Sequence, residues 1–382
     1  MNDFWKVFKL KEISKVVTGA TPSTIIDEYY GNDIPFVSPA DLGINKYISS
    51  SQKMLSYKGA DQVRILPEGS VLFTCIGIIG KTGIASRKLT TNQQINAVIC
   101  KDGFDSEYIY YALTFNSPQI KLLAGVQTVP IINKSFFENI KIPIPPLPEQ
   151  RKIAEILSTW DEAIAKTDQL IEALRQRKKG LMQRLLTGQV RFPGFEDEWS
   201  AMKQGSVVRF INGRAYKKTE WEKFGIPVVR LQNLTGSGDN YYYSTLELPE
   251  EKYMKNGDLL YMWSATFGPH IWKGDRAIFH YHIWRIECSD LINKLFFYYL
   301  LEHLTGQWMS QSHGMGLLHI TKETMENLII RIPLIIEQEK ISDVLLLNDN
   351  EIKLLRKKLD LLNQQKKGLM QRLLTGKVRV NV

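Results

Sequence analysis

Two textures alternate along the chain. Up to about residue 145, apolar residues come in short β-type runs such as Ser70-Val71-Leu72-Phe73-Thr74 and Ile95-Asn96-Ala97-Val98-Ile99. Stretches rich in Gly, Pro, Thr, Asn and Tyr divide them. A short helix is expected at about 106–115. Pro143, Pro145, Pro146 and Pro148 then form a stiff stop, and Pro148 suits the first turn of a helix. Beyond it, apolar residues recur at three- and four-residue spacing: Ile153, Ile156, Trp160, Ala163, Leu170, Leu174 and Leu181. That spacing predicts a heptad seam on one long helix, and Gly188 stands where a cap glycine would end it. Both textures then return. The β-type runs are Leu259-Leu260-Tyr261-Met262-Trp263 and Ile283-Trp284-Arg285-Ile286, and a short helix is expected at about 291–304. After Pro333 comes a second seam, Leu345, Ile352, Leu355, Leu359, Leu362, Leu369 and Leu373, closed by Gly376.

The return is a true repeat. The eleven residues 178–188, Lys-Lys-Gly-Leu-Met-Gln-Arg-Leu-Leu-Thr-Gly, recur unchanged at 366–376, an offset of 188. At the same offset Glu149-Gln150 matches Glu337-Gln338, Tyr110-Tyr111 matches Tyr298-Tyr299, and Cys100 matches Cys288. Nearer the start the offset drifts: Ile34-Pro35 matches Ile226-Pro227 at 192, and Gly19 matches Gly213 at 194. Insertions therefore differ early in each half, whereas the later part is locked.

The expected fold is α+β: two similar α/β units joined by two long helices packed as an antiparallel coiled coil, with a pseudo-two-fold internal repeat. The expected divisions are 1–145 and 189–333 for the units, 146–188 for the first helix, and 334–382 for the second helix and its tail. At 1.5 Å per residue, each helix would be roughly 57 Å long. Polar Thr167 and Asn348 fall near the seam, either fixing its register or facing solvent.

Composition narrows the class. Hydrophobic residues at 44% and charged residues at 23% describe a globular chain. No apolar stretch approaches the ~18 residues that would span a bilayer, and the N-terminus lacks a secretory pattern. Three cysteines (Cys75, Cys100 and Cys288) make no disulfide framework and show no paired metal spacing. A cytoplasmic protein with no membrane partner is expected. The net charge of +9 suggests a polyanionic partner.

Catalytic motifs are missing. Gly80-Lys81-Thr82 invites a phosphate-loop reading, but that motif needs a glycine where Cys75 stands. A tight turn followed by a strand is expected there instead. His280 and His282, close to Cys288, resemble metal ligands, yet no partner set at zinc spacing accompanies them. Their repeat equivalents, Asn92 and Gln94, are polar readers. No nucleophile motif, adenosyl-methionine glycine loop, Asn-Pro-Pro-Tyr tetrad or nuclease carboxylate cluster occurs. No metal site, bound cofactor or catalytic residue is expected.

Two basic units on a rigid spacer suggest a bipartite DNA reader, since major-groove faces recur about every 34 Å. Base edges call for Arg, Lys, Asn and Gln, and phosphates for Ser, Thr and Lys. In the first half such residues are Thr21, Ser23, Ser38, Lys81, Arg87, Lys88, Asn92, Gln93, Gln94 and Lys134. In the second they are Asn212, Arg214, Tyr216, Lys217, Lys218, Arg230, Gln232, Asn233, His270, His280 and His282. Two alternatives compete with this reading. A coiled-coil scaffold that arranges protein partners without reading DNA would not need paired polar-basic loops in both units. An unfamiliar nuclease would need an acidic cluster, which these loops lack.

The run Pro145-Pro146-Leu147-Pro148-Glu149-Gln150-Arg151-Lys152-Ile153-Ala154, the doubled eleven-residue block and Arg191-Phe192-Pro193-Gly194-Phe195 resemble the specificity subunit of type I restriction–modification systems. So does Gly19-Ala20-Thr21-Pro22-Ser23 with Ile34-Pro35-Phe36-Val37 after it. The resemblance covers the whole chain. It implies two target recognition domains on two antiparallel helices and double-stranded DNA as ligand. It also implies assembly with two adenine-methylating modification subunits and with ATP-driven restriction subunits. S-adenosylmethionine, ATP and Mg would then be used by those partners. Recognition domains vary within the family, so the DNA-facing residues above do not come from any motif. At the Thr-Pro-Ser turn the second half instead has Arg214-Ala215-Tyr216, which favours an asymmetric target.

Overall fold

A computed structural model describes residues 5–43, 45–124, 130–311 and 320–381. The chain divides into two compact units: residues 1–168 with 357–382 (unit 1), and residues 169–356 (unit 2). Each unit therefore contains its own stretch of both long helices.

Unit 1 begins with β1 (Lys6–Lys9) and β2 (Ser14–Thr18), followed by β3 (Tyr30–Val37), β4 (Tyr47–Ile48) and β5 (Lys53–Leu55). Then come β6 (Val71–Thr74), β7 (Thr82–Ala85), β8 (Thr90–Thr91) and β9 (Ile95–Cys100). Helices α1 (Ser106–Leu123) and α2 (Lys134–Glu138) and strand β10 (Lys141–Ile144) follow, and the long helix α3 (Leu147–Leu185) starts in this unit and ends in the other. One sheet has the order β2-β9-β6-β7-β4 and a second has β5-β3-β8, with β3 and β8 parallel. Pleating sends alternate residues of β6 to opposite faces. Val71 and Phe73 join the core under α1 with Tyr108 and Leu113, whereas Leu72 packs with Val17, Leu42 and Ala97.

Unit 2 repeats the plan. Its strands are β11 (Ser200–Lys203), β12 (Val208–Asn212), β13 (Ile226–Val229), β14 (Tyr242–Ser244) and β15 (Tyr253–Met254). They continue with β16 (Leu259–Ser264), β17 (Thr266–Ile271), β18 (Ala277–Phe279), β19 (Ile283–Cys288) and β20 (Ile329–Ile332). Its helices include α4 (Leu231–Thr235), α5 (Lys294–Gln311) and α6 (Lys322–Asn327), and the long α7 (Ile335–Leu373) starts in this unit and ends in unit 1. The sheets run β12-β19-β16-β17 and β14-β13-β18-β15, and β13 is parallel to β18 as β3 is to β8. Leu259 and Tyr261 face the helix-side core while Leu260 faces the other.

Helices α1 and α5 both run past the ends expected from sequence, 115 and 304. Pro118 lies inside α1 without ending it, because Ile120 in the turn beyond is buried in the core. Each helix starts on a side-chain cap. Asp105 accepts from the Tyr108 backbone N–H at 2.9 Å, and Asn293 accepts from that of Phe296 at 3.0 Å.

The repeated Glu-Gln pair, 149–150 and 337–338, has a physical meaning that recurs in both units. Gln150 is buried, accepts from the Asp105 backbone N–H at 2.9 Å and donates to the Pro145 carbonyl at 2.9 Å. Gln338 does the same with Asn293 (2.8 Å) and Pro333 (2.9 Å). Each glutamine thus staples a cap residue to the start of a long helix. Replacing either with Ala should leave these buried groups unpaired and cost roughly 2–3 kcal/mol. Thermal unfolding of Gln150→Ala and Gln338→Ala against the parent chain measures this; an unchanged midpoint would mean water takes over the lost bonds.

Glu149, buried at 1% exposure, meets Arg379 through both carboxylate oxygens at 2.6 Å. In unit 2 Glu337 meets Arg191 at 3.0 and 2.7 Å. Lys366 pairs with Asp161, which also accepts from Tyr111 Oη at 2.5 Å. Lys178 pairs with Asp349, which accepts from Tyr299 Oη at 2.9 Å. Burial first, and the neighbouring aspartate second, push both phenols well above their ordinary range. In unit 1 the pairs 149–379 and 161–366, and in unit 2 the pairs 178–349 and 191–337, rise along one stretch of chain as they fall along the other, so the two stretches lie antiparallel.

The buried track of α3 differs from the predicted seam at one position. Leu170 is 46% exposed, and Ile171, which the predicted seam omits, is buried instead; Leu174 is buried as expected. Ile153, Leu157, Thr167, Ile171, Leu174, Met182 and Leu185 form the inner face, with Ile156, Trp160, Lys178 and Leu181 half-buried beside them. On α7, Ile341, Leu345, Asn348, Ile352, Met370 and Leu373 are buried, and Leu355, Leu359, Leu362, Lys366 and Leu369 half-buried. Lys178 and Lys366 occupy inner positions because an aspartate awaits each of them. Thr167 and Asn348 both turn inward. Thr167 satisfies its hydroxyl on the Ala163 carbonyl at 2.7 Å. Asn348, with its amide turned to suit its neighbours, accepts from Arg177 at 2.8 Å.

Candidate nucleic-acid interface

In each unit several strand ends converge on one edge. In unit 1, Asn92 N donates to the Val37 carbonyl (3.0 Å), Ala20 N to that of Thr91 (2.9 Å), and Gly19 N to that of Ile95 (3.0 Å). In unit 2, His280 N donates to Val229 (2.9 Å), Arg214 N to Phe279 (3.1 Å), and Gly213 N to Ile283 (3.2 Å). The glycines are required by close approach. A Cβ on Gly19 would lie 2.2 Å from the Asn92 oxygen, and one on Gly213 2.3 Å from the His280 oxygen. One backbone frame thus displays two sets of side chains. Ala20, Ser38, Asn92, Gln93 and Gln94 in the first unit stand where Arg214, Arg230, His280, Tyr281 and His282 stand in the second.

Around the first frame Thr21 Oγ1 bonds Gln93 Oε1 at 2.6 Å, and Asn92 Nδ2 donates to Gln94 Oε1 at 3.0 Å. Ser38 is tied to Asp41 by both its N–H (2.8 Å) and its hydroxyl (2.7 Å). Lys81 Nζ donates to the Pro39 carbonyl at 2.9 Å, which brings it beside Ser38. Gly80-Lys81-Thr82 is a turn into β7. Arg64, which the sequence did not single out, donates to the Thr18 carbonyl at 2.7 Å and joins the same edge. Four candidates stand outside this group. Ser23 is exposed in the loop after β2. Arg87 and Lys88 occupy the turn between β7 and β8, where Arg87 reaches Asp33. Lys134 opens α2 and pairs with Glu138.

The second frame is built on aromatic rings. Arg214 lies over Tyr216 at 4.2 Å, Tyr216 stacks on Trp221 at 4.8 Å, Trp221 meets Tyr242 at 4.5 Å, and Arg230 lies over Tyr242 at 4.4 Å. Glu220 pairs with Arg214 and caps the Lys217 backbone N–H. His280 and His282 lie 5.1 Å apart, with Tyr281 and Trp263 against them. Lys217 and Lys218 flank the stack in sequence. Asn233 serves as a brace, accepting from the Arg230 N–H and donating to the Gly238 and Asn240 carbonyls, and Gln232 accepts from Gly238 through its backbone. Asn212 ends β12 at this edge, its carbonyl taken by Lys252. His270 lies elsewhere. It pairs with Leu260, three residues down β16 from Trp263, roughly 10 Å along the strand.

Sequence points to Tyr216, His280 and His282 but not to Trp221, Tyr242 and Trp263, because the rings come from four separate segments. The one available signal was aromatic residues interleaved with lysines in the stretch where the repeat offset drifts.

Burial, then His282 and Arg230, push the His280 imidazole down to about 4. A lowered folded pKa favours the neutral ring, so its contribution is complete above the unfolded value near 6.5. It is lost as pH falls from there towards 4. Unit 2 should therefore weaken over that window. His280→Asn, the residue at the matching place in unit 1, should flatten the pH dependence of the unfolding midpoint. An equal slope in the variant would point to other groups.

The family description "Type I restriction modification DNA specificity domain" fits residues 2–176 and again 196–364. The chain belongs to this family. As a specificity subunit it carries DNA sequence recognition and is a non-catalytic component of its system. It is 30% identical to the type I restriction enzyme MjaVIII specificity subunit of Methanocaldococcus jannaschii, over 98% of this chain and 93% of that one. It is likewise 30% identical to the MjaIX specificity subunit of the same organism, over 86% and 83%. Its fold is that of the S subunit of a type I restriction–modification system from M. genitalium. That match has TM-score 0.61 at 16% identity, covering 98% of this specificity subunit and 97% of that chain. A chain from a structure addressing complex assembly and conformational transition of the type I system matches at TM-score 0.66 and 17% identity, covering 98% of both.

Proposed function

We propose that this specificity subunit reads an asymmetric bipartite DNA site, each unit reading one half through its strand-end frame. The observation that carries this is the shared frame with unlike side chains. The same backbone bonds present Asn92, Gln93 and Gln94 in one unit and His280, Tyr281 and His282 in the other. One fold thus offers two different hydrogen-bonding patterns, as unequal half-sites require. The two long helices set the spacer and dock two modification subunits, with restriction subunits joining the larger assembly. S-adenosylmethionine, ATP and Mg belong to those partners. The setting is cytoplasmic; no helix among the described residues is long and apolar enough to cross a membrane.

Filter binding of duplex DNA at two salt concentrations, with and without modification subunits, tests the reading. Sequence-selective retention that survives the higher salt is expected with the modification subunits present. The chain alone should neither methylate nor cut DNA when supplied with adenosyl-methionine or magnesium. Retention that is independent of sequence would favour a scaffold.

A further inference from the structure

Among the cationic side chains of the second frame, Arg230 is set apart. Arg214 is neutralised by Glu220. The Arg230 guanidinium has no acidic partner and no hydrogen bond among the described residues, and its Nε is buried without a partner. It is held by rings, 4.4 Å from the Tyr242 centroid and 5.7 Å from that of Trp221. A half-buried guanidinium with unused donors is costly unless something completes its bonding. Its ring contacts limit the freedom it would lose on binding.

The matching position in unit 1 shows what this frame does without a reader. Ser38 follows β3 as Arg230 follows β13, and each backbone N–H is capped three residues on, by Asp41 and by Asn233. In unit 1 the side chain is consumed by that cap, since the Ser38 hydroxyl also bonds Asp41. In unit 2 the backbone is capped and the side chain is left over.

We infer that Arg230 reads a guanine, donating a bidentate pair to its O6 and N7, in the half-site that unit 2 recognises. The inference deepens the proposed function and rests on it. The planar fork of arginine matches the two acceptors that guanine alone presents side by side in the major groove. The rings supply orientation, and the neighbouring His280, held neutral by burial, adds no competing charge.

The test is selection of bound duplexes from a random library by the full chain together with its modification subunits. The parent assembly should enrich two sequence blocks, one containing a guanine that depends on Arg230. With Arg230→Ala that single position should become degenerate while every other position holds. Affinity for the parent site should fall roughly 5- to 150-fold. Arg230→Lys, which keeps the charge and can still donate to guanine but lacks the planar fork, should weaken the same guanine preference without abolishing it. Should the alanine variant fail to fold, Arg230→Gln decides the matter, because its amide matches adenine and the position should leave guanine. An unchanged motif in the folded variant would overturn the inference. So would uniform weakening on all sequences with a shallower salt dependence, which marks a phosphate contact. If the parent assembly enriches no two-block motif, the proposed function itself fails, and the inference with it.

Discussion

Exchanging residues 1–145 for the corresponding unit of another family member will change one half-site completely and leave the other as it was. Each frame is assembled within its own unit, and none of the bonds that shape the second frame involves residues 1–145. The exchange must respect what unit 1 asks of its helices. Its core runs from Leu10 and Tyr108 through Ile153 and Leu157 to Met370 and Leu373. The incoming unit therefore needs a cap residue for Gln150 and a tyrosine for Asp161. Donors carrying both should fold, and those lacking either should lose stability first. Recovery of the recognised sequence from bound or methylated DNA checks the outcome. Loss of both half-sites in a folded chimera would show that the units do not read independently.

Seven residues added to both long helices should lengthen the spacer without touching either half-site. The insertions belong after Leu170 and at the facing point of α7. Seven residues preserve the heptad phase, so Ile171 and Leu174 beyond the insertion keep their inner positions. They add roughly 10 Å of rise, which at about 3.4 Å per base pair is at most ~3 base pairs. DNA bending or unwinding absorbs part of this, so lengthening is the expectation and its size an upper bound. An insertion in one helix alone should fail, because Glu149–Arg379 and Asp161–Lys366 in unit 1 could not be kept together with Arg191–Glu337 and Lys178–Asp349 in unit 2. A folded double insertion that still acts only on the original spacing would show that the helices join the units without measuring.

Much of this architecture was legible because the chain states it twice. The offset of 188 predicts matching strands, helices and staples, and Gln150 and Gln338 make matching bonds. The seam was legible in period but not in every member. Leu170 is apolar yet faces outward, whereas the inner face continues through Lys178 and Lys366, whose charges disguise their position. Their aspartate partners, Asp349 and Asp161, lie more than 170 residues away in sequence, so spacing along one helix could not reveal them. The interface was legible in outline for a similar reason. Asn92, Gln93 and Gln94 are adjacent in sequence and remain together in space. Trp221, Tyr242 and Arg230 meet only after β13 and β14 pair, and Arg64 arrives from a loop with no pattern of its own. His270 shows the converse error: read as a loop residue, it lies within β17, away from the strand ends that form the frame.

The central claim is that the two strand-end frames read two different halves of one site. It is tested most directly by disabling each frame in turn, with Asn92→Ala and Gln94→Ala in unit 1 and Arg230→Ala and His282→Ala in unit 2. The sequences retained by the full chain with its modification subunits are then recovered. The account predicts that each pair of changes blurs one block of the recognised site and spares the other. Blurring of the same block by both pairs, or of neither, would contradict it.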